Sequence, residues 1–504
     1  MTGDPRTPSA APGEEDLPEQ VRVRREKRAR LLEQGVDPYP VVVDRTHTLA
    51  QVRASYDGRL PADTRTGDEV ALAGRVVRLR NTGKLCFVRL REGDGTELQV
   101  MLSLADVGAE RLAEFKATVD LGDLIAVRGE VVTSRRGELS IQARTWSLAA
   151  KTLRPLPNEH KPLSDEARIR LRYVDMMLRP EPRQMVRAKA AVLRSLRSTL
   201  DARGFLEVET PILQVTNGGA AARPFHTHLN ALDQDMLLRI ALELDLKKAM
   251  IGGVERVFEI GRTFRNEGLD STHAAEFSML EAYEAYGDQF TMMELTKALI
   301  LDAARAVGRT VVPARDGGEI DLAGEWRQVP ILQLVSGVVG EEVTAETDAQ
   351  TLRKHADRHG VALQPSWGAP EIVVELYEQL VEDSLLAPTF VMDYPSAVKP
   401  LAKAHRSTPG LNEAWDLVVN GVELVAAYSE LNDAVVQRER LTAQSLLAAQ
   451  GDPEAMDLDE AFLTAMEFGM PPAGGMGMGV DRLVMLLTGA GIRETILFPL
   501  LRPE

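Results

Sequence analysis

Apolar and polar positions along the chain fall into distinct regimes. From Val70 to about Leu148 they alternate as in half-buried strands. VALAGRVVRLR and CFVRLREGDGTELQVML come first, with a turn at Asp94-Gly95, and LIAVRGEVVTS and GELSIQARTWSL follow, joined by RRG. Between the two pairs ADVGAERLAEFKATV carries a helical pattern. Strands, one helix and more strands in this span predict a five-stranded OB barrel over residues 66–152. Ahead of it, residues 1–20 are rich in Pro, Gly and charge and are expected to be disordered. Val21–Gly35 (VRVRREKRARLLEQG) predicts a basic helix, so residues 1–65 read as a disordered N-terminus with a basic helical extension. A solvated helix packed by Leu31 and Leu32 and an RNA-binding helix are both open.

Residues 153–180, with LRPLP, read as a linker, and 181–504 as one large α+β domain without βαβ repeats. Three blocks stand out in it. In Gln184–Leu213, Met185, Val192, Leu196 and Leu200 keep helical spacing up to Gly204. Leu206 and Val208 then alternate with Glu207 and Glu209 in a strand that ends at Pro211. In Val254–Asp288, two strands flank a polar loop holding Arg265, Asn266, Glu267, Gly268 and His273. On the second strand Phe277, Met279, Glu281, Tyr283 and Ala285 share a face at period two, a mix of acid, phenol and apolar groups unlike a plain core. In Pro471–Gly489, glycines 475, 477 and 479 strip one strand face bare, so a flat ligand can approach the backbone. A helix starting near Asp481 sets Arg482 beside that face.

Composition narrows the classes. No run approaches the ~18 apolar residues of a membrane helix, and the N-terminus lacks the apolar core of a secretory signal. Cys86 is the lone cysteine, which excludes an internal disulfide and a cysteine-type zinc site. The cytoplasm is the expected compartment. The 59 basic and 75 acidic residues give a net charge of −16, yet Val70–Thr152 carries +3, from 13 basic and 10 acidic residues. A local basic surface is therefore compatible with an acidic chain. No P-loop, GxGxxG, HExxH or GxSxG motif is present. His355 and His359 have the i, i+4 spacing of a metal pair, though a polar surface helix is the better reading.

The three blocks, in this order, resemble motifs 1, 2 and 3 of the class II aminoacyl-tRNA synthetases, with FRNEG at 264–268 and GMGMGVDR at 475–482 the specific stretches. Nearly the whole chain is similar to the class II lysyl-tRNA synthetases. GGAAARPF (218–225), NALDQDMLLRI (230–240), AYSELND (427–433) and IRETILFPLLRP (492–503) carry the likeness. The barrel, with GKLCF and GELS, resembles that family's anticodon-binding domain. The actinobacterial branch is the nearest, including the synthetase half of a bifunctional lysylphosphatidylglycerol synthase, whose membrane half has no counterpart here.

The resemblance implies an α+β fold, an OB barrel followed by an antiparallel catalytic sheet flanked by helices, and a homodimer through motif 1. It implies activation of L-lysine with ATP and Mg2+, then transfer to the 3′ end of tRNA(Lys). A paralogue that activates lysine or an analogue for a non-translational acceptor stays open. By similarity, Arg265 contacts the α-phosphate and the lysine carboxylate. Arg482 holds the γ-phosphate and stacks on adenine, Phe277 covers the other face, Glu267 reads the amino group and His273 lies near the pyrophosphate. Glu281, Tyr283 and Glu430 match the positions that hold the ε-amine. Glu243 matches the one for the α-amine, with Gly219 and Tyr428 in the same pocket. In the barrel Phe87 stacks an anticodon base, with Arg78, Gln99 and Glu138 nearby.

The metal assignment has a local rationale as well. Asn420-Gly421 is a hairpin turn that pairs 418 with 423, so Asp416 and Glu423 share a sheet face and are expected to hold Mg2+ bound to ATP. Strict alternation would put Glu430 on the opposite face, so a bulge is expected, near Ala426-Ala427. The chain departs from the family pattern at Leu242 (usually Pro), Asp245 (an aromatic), Ala274-Ala275 (Asn-Pro), Ala426 (often Asn) and Asp416 (Glu).

Overall fold

A computed structural model describes residues 17–157, 163–268, 270, 272–449 and 455–502. The chain forms two compact units that divide between Arg183 and Gln184. The expected disorder of residues 1–20 falls almost wholly outside the described residues.

In the first unit, helix α1 (Glu19–Glu33) precedes the strands β1 (Arg65–Asn81), β2 (Leu85–Arg91) and β3 (Glu97–Ser103). The short helices α2 (Leu104–Val107) and α3 (Ala109–Thr118) follow, then β4 (Leu124–Thr133) and β5 (Leu139–Ala150). The five strands close a barrel in the order β1-β2-β3-β5-β4. Alternation builds its core: Cys86, Val88 and Leu90 of β2 and Leu98, Val100 and Leu102 of β3 are buried inside. The single helix expected across 105–119 is two, because Gly108 takes φ +83°, a left-handed conformation that breaks the helix. Two of the cations of α1 are committed to this unit. Arg24 donates to the Leu121 carbonyl at 2.8 Å and Lys27 pairs with Asp120 at 2.6 Å. Residues 153–180, expected as a linker, contain two short helices, α4 (Asp165–Arg170) and α5 (Arg172–Leu178).

The long helix α6 (Glu181–Asp201), which belongs to the second unit from Gln184 onward, buries Val192, Leu196 and Leu200, as the spacing predicts. The strand expected over 206–209 is only two residues, β6 (Leu206–Glu207). Next come α7 (Glu243–Ile251), β7 (Arg256–Phe264), β8 (Glu276–Ala285) and α8 (Gln289–Ala306). They are followed by β9 (Arg327–Pro330), β10 (Thr389–Met392), β11 (Ala414–Val419) and β12 (Val422–Ser429), then β13 (Ala473–Gly479) and α9 (Val480–Thr488). The sheet order is β9-β10-β11-β12-β13-β8-β7-β6. Its centre is antiparallel, as expected, but β6 and β9 are added in parallel at the two edges, so the sheet is mixed.

The period of two decides which face does what. Leu280 and Ala282 of β8, Met476 and Met478 of β13 and Trp415 of β11 point into a core covered by α8. Each large apolar side chain fully buried there contributes about 1.5–3 kcal/mol. The opposite face carries Met279, Glu281 and Tyr283 and forms a cavity wall. His355 is buried and His359 exposed, and the described residues contain no cluster of three or more His, Cys, Asp or Glu suited to a metal ion. Among the described residues no helix is long and apolar enough to cross a membrane.

Candidate active site

The floor of the cavity, about 670 Å3 in volume, is the glycine strand β13 between β8 and β12. Tyr283 and Tyr428 flank Gly475, and Glu281 and Ala426 flank Gly477. A Cβ at Gly475 would overlap Glu430 Oε1 and the Tyr283 ring, so only glycine fits. At Gly477 the nearest side-chain atom to such a Cβ is 3.6 Å away, so the strip lies open there.

One end is acidic. Glu243, Glu281 and Glu430 are all buried, with Tyr283 between them. Tyr283 Oη donates to Glu281 Oε2 at 3.0 Å, and the Leu242 backbone N–H donates to Glu281 Oε1 at 2.9 Å. The second bond exists because residue 242 is Leu; proline has no N–H to give. Lys247, one helical turn beyond Glu243, bridges Glu243 and Glu430 at 2.5 Å each. Glu430 Oε1 has no hydrogen-bond partner among the described residues. Burial, then the charge of Glu243, pushes the Glu281 carboxyl up to about 7. Burial raises Glu430 too, against the pull of Lys247. Three buried acids with one fixed cation leave a site that favours a further positive charge.

The other end is cationic. Arg265 follows β7, held by its backbone N–H donating to the Ala275 carbonyl at 2.9 Å. Its guanidinium lies 5.3 Å from the Phe277 ring centroid, and its Nε has no hydrogen-bond partner among the described residues. Burial lowers its pKa, opposed by the charges of Glu267, Glu423 and Glu281, and it stays a cation. Arg482 sits in the first turn of α9, as expected. Asp481 fixes that turn by ion-pairing with Lys189 and accepting the Ser278 N–H at 2.8 Å. Arg482 Nη1 donates to the Glu423 carbonyl at 2.7 Å, and Nη2 donates to His273 Nε2 at 3.3 Å. An arginine can only donate, so Nδ1 of His273 carries the proton, toward Asp270 at 2.8 Å. Glu267 and Gly219 also line this cavity.

The hairpin forms as expected: Val418 pairs with Glu423, and Asn420 takes a positive φ in the turn. A bulge is present, but at Leu424, since Leu417 pairs with Val425 and Asp416 with Ala426. It brings Glu423, Ala426, Tyr428 and Glu430 to the cavity side together. Asp416 stands apart. It is absent from the cavity lining, and Lys399 Nζ lies 2.9 and 3.1 Å from its two oxygens. Lys399 and Lys247 escaped sequence reasoning. The Glu243…Lys247 i, i+4 spacing could have disclosed the second; nothing local discloses the first.

On the barrel, Arg78, Phe87 and Gln99 lie on outward positions of β1, β2 and β3 in turn, and Glu138 immediately precedes β5. Arg80 lies over the Phe87 ring at 4.9 Å, Gln99 Nε2 donates to Ser140 Oγ at 2.9 Å, and Arg89 ion-pairs with Glu138. Arg80 and Arg89 were not among the expected residues.

The sequence matches the family described as tRNA synthetases class II (D, K and N) over residues 164–502, and OB-fold nucleic acid binding domain over 70–149. It is 55% identical over 503 residues to a lysine–tRNA ligase of Mycobacterium tuberculosis (strain ATCC 25177 / H37Ra), covering 98% of this chain and 99% of that one. The identity to the lysine–tRNA ligase of Kineococcus radiotolerans is 55% over 492 residues, 97% of this chain and 98% of that one. A lysylphosphatidylglycerol biosynthesis bifunctional protein of Nocardia farcinica is 51% identical over 493 residues, 97% of this chain and 43% of that protein.

Proposed function

The chain belongs to the class II tRNA synthetases (D, K and N), and from that premise we propose that it activates L-lysine with ATP and charges tRNA(Lys). The observation that carries the reading is the bipolar cavity, with Glu243, Glu281 and Glu430 at one end and Arg265 and Arg482 at the other. A lysine laid along the open glycine strip sets its ε-ammonium against Glu281, Glu430 and Tyr283 and its α-ammonium toward Glu243. Its carboxylate then meets Arg265 and attacks the α-phosphorus of ATP. The P–O bond to pyrophosphate breaks and lysyl-adenylate forms. The attacking carboxylate is already ionised, so the protein's task is to position charges and neutralise phosphate, without a general base. The adenine lies between Phe277 and Arg482 with Glu267 at its amino group, and His273 meets the leaving pyrophosphate. In the second step a hydroxyl of the terminal ribose of tRNA attacks the acyl carbonyl and releases AMP.

Mg2+ accompanies ATP in this reading and offsets phosphate charge. Glu423, at the cavity wall, fits it as a ligand. Asp416 does not, because both of its oxygens are held by Lys399.

ATP–pyrophosphate exchange, run with all twenty amino acids and ornithine, tests the assignment: lysine alone supports exchange, and no exchange with lysine overturns it. The pH profile adds a signature. Lysine needs ionised Glu281, and the free site holds a proton there below about pH 7. As pH falls below that value, kcat/KM for lysine drops at least tenfold per unit, and it levels off only above the range of Glu430, which burial raises as well. A profile flat from pH 6 to 8 would remove Glu281 from the ammonium site.

The barrel face supports anticodon reading and therefore a tRNA acceptor. Stacking of a base on an aromatic ring is worth about 1–3 kcal/mol. Phe87→Ala accordingly lowers kcat/KM for tRNA about tenfold or more and leaves exchange unchanged; an equal loss in both assays makes Phe87 a structural residue. Exposed Val186, Leu206, Ile212, Leu213 and Val215 in and after motif 1 support a homodimer through this region. A monomer in sedimentation equilibrium at micromolar concentration overturns that part. A role in translation places the enzyme in the cytoplasm.

A further inference from the structure

Lys399 and Asp416 are joined where the fold would put two metal-binding carboxylates together. Asp416 lies on β11 beside the bulged strand, paired with Ala426, and is buried. Lys399 Nζ reaches both of its oxygens, and sits 4.6 Å from the Tyr394 ring centroid and 5.8 Å from that of Tyr428. The lysine lines the cavity, but the aspartate does not. A divalent ion on Asp416 would stand about 2 Å from a carboxylate oxygen, hard against the ammonium that already occupies it, with no room for its water shell. Glu423 is in a different state: its side chain is 45% exposed at the cavity wall, with Arg482 no closer than 3.9 Å to its carboxylate. Glu378 and Glu382 lie close by, and burial first, then the neighbouring carboxylates, raises both toward the neutral form, so the ion pair of Lys399 with Asp416 is the charge pairing on this side of the site.

We propose that Lys399 is a built-in cation of this active site: its ammonium takes the place at Asp416 that a divalent ion would occupy, and Glu423 alone is the protein's carboxylate ligand for metal entering with ATP. The inference rests on the ATP-dependent reading above. It implies one fewer protein-held divalent ion per site than a pair of free carboxylates would give, and a fixed positive charge in the cavity before nucleotide arrives.

The test counts bound Mn2+ by electron paramagnetic resonance, with the full-length protein saturated with lysine and the α,β-methylene analogue of ATP. Lys399→Met gains one Mn2+ per chain, or binds its weakest ion at least tenfold more tightly than the unmodified protein. Lys399→Met/Asp416→Asn, a neutral pair that folds without a buried unpaired charge, returns to the unmodified count and affinity within twofold. Glu423→Gln weakens Mn2+ binding at least tenfold. Loss of an ion in the double variant relative to the unmodified protein makes Asp416 a ligand and overturns the proposal. So does a Lys399→Met protein that folds and gains nothing. Absence of lysine-dependent exchange counts against the functional reading and leaves the Mn2+ count readable.

Discussion

Arg265→Ala lowers lysine-dependent ATP–pyrophosphate exchange by two or more orders of magnitude. In the proposed reaction the guanidinium meets both reacting anions, the lysine carboxylate and the α-phosphate. It lies over Phe277, and its Nε is free of any hydrogen-bond partner among the described residues. A preorganised donor of this kind costs about 3–4 kcal/mol of transition-state stabilisation when removed. Truncation does not open a structural ion pair, so the melting temperature should hold or rise as a desolvated cation disappears. Arg265→Lys keeps the charge but loses the planar fork, and exchange falls between the two. Near-normal exchange in the alanine variant would take Arg265 out of the chemistry.

Glu430→Gln gives the second large effect, on lysine recognition. Glu430 Oε1 is a buried carboxylate oxygen without a hydrogen-bond partner among the described residues, facing the space above Gly475. Replacing one partner of a buried charge pair costs about 2–5 kcal/mol, so kcat/KM for lysine falls by about two orders of magnitude while KM for ATP stays within a few-fold. Stability moves the other way or not at all. In the empty site Glu430 is crowded by Glu243 and Glu281, and its pKa is raised by burial first. A neutral amide relieves that crowding, and Lys247 keeps its bond to Glu243. A loss of lysine affinity with a collapse in melting temperature would assign Glu430 to folding.

What was legible in the sequence was what short-range pattern encodes. The period of two in β8 placed Glu281 and Tyr283 on one face and Leu280 and Ala282 on the other. The alternating glycines of β13 revealed a bare strip, and Asn420-Gly421 fixed the hairpin register. Lys399 was not legible, since its partner Asp416 is seventeen residues away on another element. Arg80 over Phe87 was hidden in the same way, because it depends on the pairing of β1 with β2. The bulge could be inferred from the need to turn Glu430 around, but its place at Leu424 depends on how the strand packs. The departure at Leu242 looks like a loss in the sequence. In the fold it adds a donor to Glu281.

That bulge also bears on how the gene can change length. Losing Leu424 would straighten β12 yet leave Glu423, Ala426 and Tyr428 facing as they do now, because the extra residue is the one removed. Losing any residue from 425 to 429 while the bulge stayed would swap the cavity side for the core side between the deletion and Glu430. The tolerated deletion has its own consequence. The Glu423 carbonyl at the edge of the irregularity anchors Arg482, and a regular ladder would draw that oxygen back into strand pairing. A one-codon deletion there would keep the pocket's side chains and release its arginine.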